Sequence, residues 1–280
     1  MSNLSILSII LTFVVSLLLP PVFLVVYARR NQKQGIWSAW LLGALGFFVP
    51  QILIRFPILT ALSRMDGFIS FGQNHTLIYG FALAFTAGLF EVVGRYAVAR
   101  CQKKNLTYRR ALAAGLGHGG IEAIIITGLA YVSNLVFLVM LQTGGFDALL
   151  AQTTAAGGDV TALLATRDAL MNTSWSLFLL AGFERLLAMT CHAAMSMLVC
   201  YGVHSGKAAP TIFAFVMHVC MDSVASISLF IGKGLSLAAA HTIIYILLIA
   251  FTVLAVVILK TIRARWATEN AQEVPYDSQA

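Results

Sequence analysis

Four acidic residues, Glu91, Glu122, Glu184 and Asp222, stand inside long apolar stretches of this 280-residue chain, together with His118, His192, His218 and His241. The other seven acids (Asp66, Asp147, Asp159, Asp168, Glu269, Glu273 and Asp277) fall between or after those stretches. A charged group at membrane depth costs at least ~2.5 kcal/mol even on insertion scales, so such groups pair with one another or face a protein interior. Spacing sorts them. Glu91 and Arg95, His118 and Glu122, and His218 and Asp222 are each i,i+4, one helical turn apart on a single face. Arg185 and His192 are i,i+7, nearly the same face, whereas Glu184 and His192 are i,i+8, about 80° apart at ~100° per residue.

The chemistries open to such a set include proton relay, haem ligation and hydrolysis. A buried Glu can activate water for attack on a carbonyl, with His192 and His218 holding the water or stabilising the oxyanion. In a second version His118, His192, His218 and an acid bind a divalent metal such as zinc, with Glu122 as base. The first version needs no cofactor, the second needs the metal, and the residues leave both open. An ionised Asp222 cannot donate to an oxyanion but can orient His218. Plainer readings compete at single positions. Glu91 with Arg95 is equally an internal ion pair that neutralises itself. Glu184 with Arg185 reads as structural, and one buried histidine is more often a satisfied core residue than a ligand. Three histidines and three acids at one depth are harder to assign to packing, and they point to a functional site.

The elements that must hold these residues are apolar runs at approximately 5–28, 36–57, 76–99, 111–141, 174–203, 209–231 and 236–261. With 59% hydrophobic residues, 10% charged and a mean hydropathy of +0.87, the chain lacks the charge that a soluble domain needs on its surface. There is room for about seven spans of roughly 20 residues. The expected fold is an all-α polytopic transmembrane helix bundle, one domain over 1–263. The polar end at 264–280, closing in ATENAQEVPYDSQA, is expected to be cytoplasmic and disordered. Pro20 and Pro21 predict a kink in the first helix. The fourth run is too long for a simple span, and Gly115, Gly117, Gly119 and Gly120 predict a break or tilt there. The longest connections lie near 58–75 and 142–173, and the second has the composition of an interfacial helix. No internal repeat is visible.

The net charge of +7 does not indicate nucleic acid, because the cations sit in short loops beside apolar runs, where they set orientation. Arg29, Arg30 and Lys33 follow the first run and none precedes it, the reverse of a secretory signal. The N-terminus is therefore expected outside. On that arrangement 12 of the 18 basic residues fall inside, among them Lys103, Lys104, Arg109 and Arg110, against 4 at the outer side (Arg55, Arg64, Arg167, Lys233). Of the four cysteines, Cys191, Cys200 and Cys220 lie in apolar segments and read as small buried hydrophobes. Measured from the inner ends of their helices at ~1.5 Å per residue, Glu91, His118, Glu122, His192, His218 and Asp222 all lie roughly 10–20 Å deep. His241 lies near the outer side and is left out.

Four strings carry a family resemblance: Glu91 to Arg95 as E-x-x-x-R, GHGGIEAI around His118 and Glu122, FERLLAMTCHAAMSML around His192, and His218 to Asp222 as H-x-x-x-D. In this order, over about half the chain, they resemble the YhfC-like intramembrane proteases. That group is related to the CAAX-prenyl-protease and bacteriocin-processing family, to PrsW, and to the anterior-pharynx-defective subunit of γ-secretase. The resemblance implies a multi-pass bacterial plasma-membrane peptidase of glutamic or metallo type, acting on membrane peptides or proteins. The wider pattern is E-E-x-x-x-R, F-x-x-x-H and H-x-x-x-N/D. Here Phe90 replaces the first Glu, to which the resemblance to the prenyl proteases assigns the role of base, and Ala188 replaces the Phe. Glu122, one helix away at similar depth, can supply the missing base. The catalytic candidates are thus Glu122, Glu91, His192 and His218, supported by Arg95, His118 and Asp222. The lipid bilayer is the expected surrounding. The rival classes are a non-catalytic membrane scaffold, as the γ-secretase relative allows, and a proton-coupled transporter, against which the missing inverted repeat weighs. Haem ligation ranks last, since no CxxCH is present.

Overall fold

The computed structural model describes residues 2–32, 34–231 and 234–272. It is all-α: among the described residues the one extended feature is an isolated bridge between Ile231 and Leu235. Among the described residues seven helices are long and apolar enough to cross a membrane: Asn3–Arg30, Ile36–Leu62, Thr76–Cys101, Tyr108–Thr143, Trp175–Ser205, Ala209–Phe230 and Leu237–Glu269. They are called the first to seventh spans below. The connection at 58–75 contains a helix, Asp66–Asn74, and that at 142–173 contains two, Gly145–Ala155 and Thr161–Asn172.

The first, second and fourth spans each carry a π-helical stretch, at Val14–Leu18, Phe48–Arg55 and Ala123–Gly128. The first of these stands directly before Pro20 and Pro21. A proline ring crowds the carbonyl four residues earlier and offers no N–H, and the widened turn accommodates both defects. Pro50 and Pro57 bear on the second stretch in the same way. The fourth span departs from expectation. It remains regular α-helix through all four glycines, from Tyr108 to Glu122, and widens only afterwards. The glycines serve close packing instead. A Cβ at Gly117 would meet the backbone of Trp40, one at Gly115 would lie 2.8 Å from Ala193 Cα, and one at Gly119 would lie 3.0 Å from His192 Cβ. Without side chains there, the fourth span fits between the second and the fifth at backbone contact.

The chain resolves into two compact units, Met1–Val22 with Ala123–Leu186, and Phe23–Glu122 with Leu187–Ala280. The first unit packs Ile9, Tyr131, Leu138, Leu170 and Phe178 together. In it Thr12 Oγ1 (2.7 Å) and the Tyr131 hydroxyl (3.1 Å) both donate to the Phe178 carbonyl. Glu184 and Arg185 are ion-paired there. The second unit has a larger core, built around Met195, Val199, Met217, Met221, Ala255 and Trp266, with Cys191 and Cys200 buried in it. Cys220, expected to be buried, is exposed.

The last helix runs to Gln272, nine residues into the segment expected to be disordered. The reason is packing that polarity alone does not reveal. Ile262 and Trp266 are buried in the core, and Tyr201 donates to Glu269 Oε1 at 2.7 Å. Residues 273–280, the rest of that segment, lie outside the described residues.

Candidate active site

Glu91 is the hub. It sits midway along the third span, where Gly88 and Gly94 flank it and let neighbouring helices approach. A Cβ on Gly88 would lie 2.9 Å from Val219, and one on Gly94 would meet the Gly46 carbonyl. The glutamate therefore faces the second, fourth, fifth and sixth spans at once. Its Oε2 accepts from Arg95 Nη2 at 2.9 Å and lies 2.9 Å from His118 Nε2. The Nδ1 atoms of His218 and His192 stand 3.5 and 3.6 Å away. Its other oxygen, Oε1, accepts from Gln51 Nε2 at 2.7 Å.

Arg95 binds the remaining groups to this hub. Its Nη2 lies 2.6 Å from His192 Nδ1, its Nη1 lies 3.2 Å from His218 Nδ1, and its Nε donates to Ser196 Oγ at 3.2 Å. A guanidinium only donates, so Nδ1 of both histidines accepts. Each of these neutral rings then carries its proton on Nε2. From His218 that proton points to Asp222 Oδ2 (3.1 Å), whereas His192 Nε2 lies 2.7 Å from Glu122 Oε2 without the alignment of a hydrogen bond. His118 follows the same pattern, with Nε2–H toward Glu91, and its Nδ1 has no hydrogen-bond partner. The rings also stack: His118 on His192 at 5.5 Å between centroids, and His192 against His218 edge-on at 5.4 Å.

Burial is graded across the group. The side chains of Glu91, Arg95, His118, His192 and His218 are at most 5% exposed, Glu122 is 14% exposed and Asp222 29%. The group is thus least enclosed at Glu122 and at Asp222. Beside its enclosed members a cavity of about 10 Å³ is lined by Arg95, His118 and Ser196 together with Gly43, Val98, Ala114 and Cys200. That is close to the least space a single water needs.

All seven residues expected at the site thus converge in one unit. A match to the family described as YhfC intramembrane metalloprotease covers residues 15–247, which include every one of them. The chain belongs to that family. A protein of Bacillus subtilis (strain 168) described as uncharacterized membrane protein YhfC is 32% identical over 200 residues, covering 71% of this chain and 75% of that protein. No solved structure matches.

The family name implies a metal, and the donor set can be tested against one. Glu91, His118, Glu122 and His192 each offer a ligand atom, and these atoms lie within 4.8 Å of one another. Two imidazoles and two carboxylates are ligands that a divalent ion such as zinc takes. Bonds of ~2.0–2.1 Å in tetrahedral geometry set ligand atoms about 3.3 Å apart. The observed His118–Glu91 (2.9 Å) and His192–Glu122 (2.7 Å) pairs need to part by only a few tenths of an ångström. The residues fit. His218, expected among the ligands, is not in this group. Arg95 and Asp222 hold it by its two nitrogens.

Three residues near the hub escaped the sequence reading: Gln51, Arg55 and Ser196. Arg55, counted above with the outer cations, turns inward and is buried. The available signal was an uncharged amide inside an apolar run, four residues from an arginine. His241 binds the Leu237 carbonyl of its own helix through Nδ1 (2.8 Å) and lies outside the group.

Proposed function

We propose that this protein is an endopeptidase of the bacterial plasma membrane that hydrolyses peptide bonds of membrane-embedded substrates at the Glu91–His118–Glu122–His192 group. The N-terminus lies outside and the connections at 29–35 and 100–110 lie in the cytoplasm. The observation that carries the reading is the unequal situation of the two central carboxylates. Glu91 is enclosed by donors on both oxygens. Glu122 is more exposed, at 14%, and His192 Nε2 approaches its Oε2 at 2.7 Å. A base must reach a water and a substrate, and Glu122 is the less enclosed of the two.

Glu91, His118 and His192 would hold the divalent ion, with Glu122, the fourth member of the group, left beside it as base. When bound, the ion supplies Lewis-acid polarisation of the scissile carbonyl and acidifies water. The protein's own groups do the rest. Glu122 takes the proton of the attacking water and passes it to the leaving amine. His192 Nε2 stands beside its Oε2. Arg95 holds His218 and Glu91 in place and contributes fixed positive charge where negative charge develops. Asp222 keeps His218 in its Nε2–H tautomer. A metal-free glutamic reading has one observation in its favour: Arg95 donates to His192 Nδ1. That is the nitrogen whose proton a metal-bound imidazole normally presents to an acceptor.

The test is hydrolysis of membrane-spanning peptides by the purified protein in liposomes, with and without a strong chelator. Glu122→Gln is expected to lower kcat by a factor on the order of 100 or more while the protein still accumulates in the membrane. Loss of cleavage in chelator selects the metal reading, and persistence selects the glutamic one. Undiminished cleavage by Glu122→Gln refutes Glu122 as base. A wild type that cleaves nothing, with variants altered only in abundance or in partner binding, marks the protein as a scaffold.

A further inference from the structure

The second span enters the site through two buried polar residues, Gln51 and Arg55, to which neither the strings of the third to sixth spans nor the family description assigns a role. Gln51 lies in the π-helical stretch Phe48–Arg55, where Pro50 disturbs the regular turn. Just before this stretch, at Gly46, the backbone of the second span comes against the third span. A Cβ on Gly94 would meet the Gly46 carbonyl and would lie 2.8 Å from the Pro50 ring. At that separation the Gln51 amide reaches across, with Nε2 at 2.7 Å from Glu91 Oε1 and 3.4 Å from the Ala87 carbonyl.

An amide has two unlike ends, and which end faces Glu91 decides whether the contact attracts or repels. Arg55 settles it. Its Nη1 donates to Gln51 Oε1 at 3.2 Å, and because a guanidinium cannot accept, the amide oxygen must face Arg55 and the NH2 must face the carboxylate. Arg55 is itself fixed to the third span. Nη2 donates to the Leu83 carbonyl (2.8 Å) and Nε to Thr86 Oγ1 (3.2 Å), while Thr86 donates to the same carbonyl (3.0 Å). The contacts form one series, from the third-span backbone through Arg55 and Gln51 to Glu91.

We propose that Gln51 and Arg55 are positioning residues for the site: Gln51 holds Glu91 by its Oε1, and Arg55 fixes the amide orientation that makes this possible. With Oε1 held, Oε2 is the oxygen left for Arg95 and His118, and the carboxylate cannot rotate. The consequence for catalysis rests on the peptidase reading above. The competing view is that the two residues only glue the second span to the third, as polar side chains do between membrane helices. Glue affects stability and nothing else.

The experiment uses the full-length protein with Gln51→Met, which keeps the length of the side chain and removes the donor. Infrared difference spectra should show a shifted Glu91 carboxylate band in Gln51→Met, and no such shift when Gln51→Met is made on a Glu91→Gln background. In the cleavage assay kcat should fall about 10- to 100-fold with KM within about threefold, the usual scale for losing a partner that orients an active group. Arg55→Lys keeps the cation but not the fork, so it should lower kcat less, and it should add little to Gln51→Met because both act through one contact. It also serves as the second variant if Gln51→Met does not fold. An unshifted carboxylate band, or wild-type kcat with only a lower melting temperature, overturns the proposal. A wild type without cleavage overturns the peptidase reading instead, and the infrared shift still decides the positioning.

Discussion

At the scale of single residues, the two central glutamates differ in what their loss leaves behind. Glu91→Gln removes the anion from between Arg95 and the His118 and Gln51 donors, stranding a buried cation. Breaking such a pair costs ~3–5 kcal/mol. The expected outcome is a large fall in melting temperature and in membrane abundance, measured by thermal denaturation in detergent and by quantitative blotting. Glu122→Gln, at the more exposed carboxylate, should leave both within the scatter of the wild type. Equal stability losses for the two variants would remove the distinction on which Glu122 is named as base. A second residue-scale outcome concerns Arg95. Its bond to His192 Nδ1 and its charge both oppose a divalent ion at Glu91, His118 and His192. Arg95→Met should therefore bind zinc about tenfold more tightly or more, by competition with a metal-sensitive dye, since a 1.4 kcal/mol change in charge balance already gives that factor. Weaker binding would mean that Arg95 shapes the metal site rather than competing with it. Much of this group was legible in the sequence, because each of Glu91, His118, Glu122, His192, His218 and Asp222 is an ionisable residue in an apolar run at helical spacing. Gln51 was not, since an amide carries no comparable penalty and so no comparable signal. Arg55 misled for a related reason. A cation near the end of an apolar run reads as a boundary residue until the structure shows which way it points.

At the scale of elements, the site depends on helices that touch through backbone rather than through side chains. Gly94 in the third span and Gly117 in the fourth face the Gly46 carbonyl and the Trp40 backbone of the second span. An added methyl at either position must push that span away. The expected result for Gly94→Ala is a stability loss of ~1–3 kcal/mol, the usual cost of overpacking, and cleavage reduced further because Gln51 no longer reaches Glu91. Gly67→Ala, in the helix Asp66–Asn74 with open space around it, should be neutral or slightly stabilising. Parallel melting curves and cleavage rates check both. A neutral Gly94→Ala would mean that the second span can shift without consequence. The seven spans themselves were easy to read, because apolar runs of that length have few other uses. The function of the glycines in the fourth span was not. Glycine weakens a helix in water, so four of them within six residues suggest a break. A helix clasped between two neighbours keeps its backbone hydrogen bonds and uses the missing side chains for contact. The same limit applies at the last span, where Trp266 and Glu269 find partners on the fifth span that local polarity does not announce.

At the scale of the whole molecule, the direction in which the chain faces decides from which side the group at Glu122 and Asp222 is reached. The cations argue for one direction. Arg29, Arg30, Lys103, Lys104, Arg109 and Arg110 stand at connections on one side of the first four spans, and juxtamembrane cations stay in the cytoplasm. Arg55 strengthens the count. Since it is buried beside Gln51, it is no longer an outer-loop cation, and the outer side keeps Arg64 and Arg167 with Lys233, the last outside the described residues. Asn105 and Thr154 are both exposed and lie in connections of opposite side on this reading. Native Cys101 and Cys220 are exposed as well, so the measurement needs a background with both changed to Ser. In intact cells, an impermeant maleimide is expected to label Thr154→Cys and to leave Asn105→Cys unlabelled until the membrane is opened. The reverse pattern would put the loops at 29–35 and 100–110 outside. It would also reverse the side from which the group at Glu122 and Asp222 is reached. The geometry of the candidate site would stand unchanged, because it depends on contacts among the spans and not on their direction.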